Sequence, residues 1–247
     1  MKKIGIIRMN KIIDCLRLAV AASLLCVLLI LISSCGSSVL DSVSVDSQGI
    51  FLELTGTERA AKGVTVYKDG EKVASYKISA VKLKDLPDGV RCLEALDLNF
   101  DGRMDFRVLS SVSRDEYRYQ NFICNSDYTY YSHKELDALV NPVPDAENGY
   151  ITSRSYVKRF DSAVTYENIP RTYHEAYSTH RYVWEQSSLR EVARNSIVFY
   201  SESNIYCVGK YRLDQYGDLA AVNEDWLHQD KLDEMYGDTG YYLPITD

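Results

Sequence analysis

The stretch that decides the fold is CLEALDLNFDGRMDFRVLSSV, residues 92–112. Its middle sets Asp97, Asn99 and Asp101 on alternate positions, then Gly102, then Asp105. Its ends are apolar and β-branched or aromatic, as strands prefer. Oxygen side chains on alternate positions let a curling loop aim several donors at one point. Gly102 permits the sharp turn, because glycine adopts backbone conformations that a Cβ opposes. The pattern is that of a loop for a hard cation such as Ca²⁺, which takes six to eight oxygen ligands. The expected ligands are Asp97, Asn99, Asp101, the backbone carbonyl of Arg103, and Asp105, completed by water.

The helix–loop–helix form of this loop needs a bidentate Glu at position 12. That position here is Val108, inside an apolar run. The loop is therefore expected between two strands, as in integrin-type propeller repeats, and Glu94 joins it only if its strand bends back.

Working outward, VTVYKDGEKVASYKI (64–78) places two alternating runs around Asp69-Gly70. That dipeptide favours the type I′ turn of a two-residue hairpin. Strand-like runs recur at 122–131, at 174–185 and across 196–213, with a turn at Glu202-Ser203. SHKELDALV (132–140) reads as a short helix stopped by Asn141-Pro142, and NEDWLHQDKLDEMYG (223–237) as one amphipathic helix. Many short strands with turn signals predict an all-β, mainly antiparallel domain, propeller-like or a sandwich, with one or two short helices.

The N-terminus reads as a targeting segment. Residues 1–17 carry five basic residues and one acid, and residues 18–34 are uncharged and largely apolar. Ser33-Ser34-Cys35 follows, small residues before a cysteine, as in a bacterial lipobox. The expectation is a signal helix removed with residues 1–34, an acylated Cys35, a polar tether to residue 48, and a domain over 49–247. An uncleaved anchor is the alternative, although a run of 17 is short for a span. Removing residues 1–34 leaves 23 basic residues against 34 acids, a net charge of −11. An acidic chain without a basic stripe argues against nucleic acid and suits a basic partner or a divalent cation.

Catalytic signals are sparse. No G-x-S-x-G, H-E-x-x-H or P-loop occurs. His133, His174, His180 and His228 each read as an isolated surface histidine. His174 and His180 lie about 20 Å apart if they share one strand. Cys92, Cys124 and Cys207 allow at most one disulfide and lack zinc-ligand spacing. A hydrolase would have to use an unrecognised carboxylate pair.

The hairpin VYKDGEKVASYKI, the loop LDLNFDGRMDF and the segment YTYYSHKELDALVNP together resemble a known family. It comprises exported bacterial lipoproteins related to the secretion-effector immunity protein of xanthomonads and to periplasmic lysozyme inhibitors. The resemblance spans about residues 62–190. It implies an all-β, distorted propeller-like fold and a calcium loop at Asp97, Asn99, Asp101, Gly102 and Asp105. It further implies a non-catalytic lipoprotein of the cell envelope, facing periplasm or exterior, that binds or inhibits an exported hydrolase. Tyr128, Tyr130 and Tyr131, next to the loop, are the expected contact aromatics.

Overall fold

The computed structural model describes residues 38–57, 60–79, 86, 88–113, 116–157, 160–166, 169–173, 175–200, 203–237 and 242–246. The expected signal segment and Cys35 lie outside these residues.

Among the described residues, three antiparallel sheets and a two-stranded ribbon make up the fold, which is all-β and sandwich-like. The first sheet orders β1 (Ser38–Val45), β2 (Ile50–Thr57), β3 (Ala60–Lys68) and β4 (Glu71–Lys77) as a meander. The predicted turn closes β3 onto β4, with Asp69 and Gly70 both at positive φ, as a type I′ turn requires. Residues 38–45 correct one expectation. They are not a tether but a strand paired with β2 from Val45↔Ile50 to Ser38↔Gly56, with a bulge between Val39 and Asp41.

The second sheet orders β5 (Leu93–Leu96), β6 (Asp105–Ser113), β7 (Glu116–Cys124) and β8 (Tyr130–Ser132). The acidic loop joins β5 to β6, between strands, as its flanks predict. The inward faces of the first two sheets pack together. Ile50, Leu52, Leu54, Val64 and Val66 meet Leu93, Phe106, Val108, Leu109 and Phe122 in one buried cluster. Phe106 and Phe122 stack at 4.5 Å between centroids, and Tyr76 and Tyr130 pack around the pair.

The third sheet has six strands in the order β16-β15-β14-β13-β10-β9. These are β9 (Val143–Asp145), β10 (Tyr150–Val157), β13 (Glu175–Glu185), β14 (Ser188–Tyr200), β15 (Ile205–Leu213) and β16 (Leu219–Leu227). The ribbon pairs β11 (Phe160–Tyr166) with β12 (Ile169–Tyr173). Helix α1 (Lys134–Ala138) wedges between the second and third sheets. Its Leu136 is buried with Leu98, Ile123 and Ile151, and Tyr182, Trp184 and Leu189 pack on them. The opposite face of the third sheet is covered by helix α2 (Gln229–Tyr236) and the C-terminal segment through Leu232 and Leu243. Residues 223–237 are thus not one helix. Asn223–Leu227 pair with β15, and only the part from Gln229 is helical. Among the described residues, no helix is long and apolar enough to cross a membrane.

Candidate functional site

Asp97, Asn99, Asp101, Arg103 and Asp105 come together in one curled loop. Gly102 sits at φ +83. Asp97 accepts from the backbone N–H of Asp101 (3.2 Å) and of Gly102 (2.8 Å). Asn99 Oδ1 accepts from Asp101 N–H at 3.3 Å, and Asp101 Oδ1 from Arg103 N–H at 2.9 Å. Asn99 Nδ2 donates to Asp101 Oδ2 at 2.8 Å. These bonds curl the chain and give the backbone N–H groups of Asp101, Gly102 and Arg103 partners within the loop.

Asp105 differs from the rest because it is fully buried. One oxygen accepts from Leu98 N–H and the other from Cys124 N–H, both at 2.7 Å. Burial pushes its carboxyl up to about 7; the two backbone N–H groups pull against that, and Asp97 and Asp101 add to it. Asp105 is therefore a crosslink between the loop and the end of β7.

The loop touches all three sheets. From the first, Gln48 donates Nε2–H to Gly102 O at 2.9 Å and accepts from Met104 N–H at 3.1 Å. Asp105 holds the second. From the third, Trp184 donates its indole N–H to Leu98 O at 2.8 Å. Phe100 adopts φ +61, costly for a bulky L-residue, and packs against the Leu98–Leu136 core in return. Gln48 and Trp184 carry no motif, and their spacing from the loop hides them in the sequence.

The donor chemistry fits a hard cation: four oxygen side chains, one carbonyl, no sulfur. A carboxylate oxygen that accepts one N–H keeps a second lone-pair direction. The arrangement stops short of a closed cage. The partly exposed Arg103 guanidinium pairs with Asp101. Glu94 is turned away, since it pairs across the strands with Arg107 at 2.7 Å. Among the described residues, no group of three or more His, Cys, Asp or Glu side chains is placed to hold a metal ion.

The expected contact aromatics separate. Tyr130 belongs to the core, and its hydroxyl donates to Met104 O at 3.2 Å. Tyr128 sits at φ +59 in the turn, under Lys68 Nζ at 4.8 Å. Only Tyr131 of the three is exposed.

Two histidines overturn the isolated-surface reading. His133 is buried and caps α1, its Nδ1 accepting from Leu136 N–H while Nε2–H donates to Ser187 O. His180 is held between Ser155 and Glu191. His174 lies outside the described residues. Cys92, Cys124 and Cys207 are all buried.

Fold and loop define the class: an all-β, sandwich-like protein with one acidic loop set between neighbouring strands at the meeting of three sheets. A solved structure similar to this chain is described as that of a Xanthomonas Type IV Secretion System related protein. The two share 15% identity with a TM-score of 0.50, over 76% of this chain and 98% of that chain. At that identity the likeness is one of fold. Comparison with family models finds no match, and neither does comparison with curated proteins.

Proposed function

We propose that this chain is a membrane-anchored binding lipoprotein of the cell envelope, stabilised by calcium, whose target is an exported protein such as a hydrolase. The observation that carries the reading is the fold shared over nearly the whole of a secretion-system-related protein. The lipobox-like Ser33-Ser34-Cys35 supports envelope placement, with lipid on Cys35. A calcium ion held by Asp97, Asn99, Asp101, the Arg103 carbonyl and Asp105 would neutralise crowded carboxylates. It requires Arg103 to leave Asp101, a rotamer change of a partly exposed side chain. The ion's role is structural, and this reading assigns no chemistry to the loop. A net charge of −11 after processing would speed encounter with a basic target such as a lysozyme.

The test is capture and inhibition. Residues 36–247 are assayed against a panel of lysozymes and of cell-wall and lipid hydrolases, with calcium and with chelator. Binding or inhibition of one member supports the reading, and none across the panel removes it. Intact mass of the membrane-extracted protein should show diacylglycerol on Cys35. A retained N-terminus would restore the uncleaved anchor.

A further inference from the structure

One face of the third sheet carries polar side chains that neither the loop nor the proposed binding role uses. Ser155 on β10, His180 on β13 and Glu191 on β14 form a continuous chain. Ser155 Oγ lies 2.9 Å from His180 Nε2, and His180 Nδ1 lies 2.7 Å from Glu191 Oε1. An ionised carboxylate only accepts, so the proton of the neutral ring sits on Nδ1. That leaves Nε2 to accept from the serine hydroxyl. Arg194 fixes the carboxylate with a fork, Nε to Oε1 at 2.8 Å and Nη2 to Oε2 at 2.7 Å.

Strand register explains how residues so far apart in sequence meet. Ser153 lies opposite His180, and Ser155 is its diagonal neighbour on the same face. Opposite β13, the register shifts between Arg181 and Tyr182, so Tyr182 pairs with Glu191 rather than with Val192. Without that bulge, Glu191 would point to the other face, away from His180. Bulges that re-aim a side chain recur next to functional sites. The neighbouring Ser153 is buried and occupied by Val140, donating to its carbonyl at 2.7 Å. Ser155 is partly exposed, so a substrate can approach it. Tyr182 stacks beside the imidazole at 6.1 Å.

We propose that Ser155, His180 and Glu191 form a nucleophile, general base and positioning residue for hydrolysis of a carboxylic ester, an activity separate from the binding role. Ser155 Oγ bonds to the ester carbonyl carbon as its proton passes to His180 Nε2. The tetrahedral species collapses, the bond to the alcohol oxygen breaks, and that oxygen takes the proton from Nε2. Water then attacks the acyl-serine with the same base, releasing the acid and restoring the serine. Glu191 holds the ring and stabilises the imidazolium.

The test uses the full chain with a fluorophosphonate probe and with p-nitrophenyl acetate. The expected result is one label, located at Ser155 by peptide mass spectrometry, and ester turnover above the buffer rate. Heat-denatured protein, which has lost the geometry, should not label. Ser155→Ala should abolish labelling, and His180→Gln should cut turnover by at least about a hundredfold. Glu191→Gln should lower kcat with KM unchanged, and Glu191→Asp should recover part of the loss. No label on the folded wild type overturns the proposal. Equal labelling of folded His180→Gln overturns it as well, because the serine would then react without its base. Neither result bears on capture of an exported partner, so the two readings fail separately.

Discussion

Asp105, the first residue of β6, accepts the backbone N–H of Cys124, the last residue of β7, at 2.7 Å. Its second oxygen holds Leu98 inside the acidic loop. One buried side chain thus fastens both the loop and a strand end, which explains why the carboxylate at position 9 of the acidic loop is also core. Asp105→Asn should destabilise the protein by about 1–3 kcal/mol, since an amide offers one acceptor where two are needed. Urea unfolding reads this directly. An unchanged midpoint would mean that the two amides find other partners.

Calcium should raise the melting temperature by binding the folded loop and not the unfolded chain. The gain is about 2.7 kcal/mol when calcium stands a hundredfold above Kd. Because Gln48, Cys124 and Trp184 tie the loop to three sheets, hydrogen exchange should slow in all three. Asp101→Ala should remove most of the response. A melting temperature that chelator leaves unchanged would mean the loop is only a turn.

Glu191 gives an acid-side signature. Burial alone would raise its carboxyl, but the hydrogen bonds from His180 and Arg194 outweigh this and hold it at about 2, below its ordinary 4.5. A depressed carboxylate stabilises the fold above its unfolded pKa and loses that contribution as pH falls through the folded one. The window is therefore from about 4.5 down to about 2, with an effect on the order of 2 kcal/mol. Glu191→Gln should flatten the acid limb of the stability curve over that window. Parallel curves for the two proteins would show that the cluster adds nothing to stability.

Phe106→Ala should cost about 3–5 kcal/mol, the range for emptying an aromatic site in a core. Phe106 is fully buried and stacks on Phe122 between two sheets. A loss below about 1 kcal/mol would mean that the aromatic cluster closes over the void.

What could be read from sequence followed local physics. Asp69-Gly70 specifies its own turn, and the loop's flanks announce strands, so the first two sheets were legible around them. Strand β1 was not. Its partly buried Leu40, Val43 and Val45 are separated by Ser and Asp, and the bulge after Val39 breaks the alternation. Trp226, Leu227 and Met235 imitate a helical stripe, although Trp226 and Leu227 pair with β15. The Ser155–His180–Glu191 row was invisible for a different reason. It depends on the pairing of three strands and on one bulge, and neither is written in any single segment.

The start of β1 has a mechanical consequence. With lipid on Cys35, only Gly36 and Ser37 separate the acyl chains from a strand locked into a sheet. Consecutive Cα atoms lie about 3.8 Å apart, so this leash reaches about 11 Å at most. If Cys35 carries lipid, a leash that short would give the protein little freedom to swivel or patrol. It would set one edge of the first sheet against the bilayer and hold the molecule in one orientation, so that a partner would approach along the membrane surface. A spacer of twenty Gly-Ser residues inserted after Ser37 would release that constraint without touching a single contact within the fold.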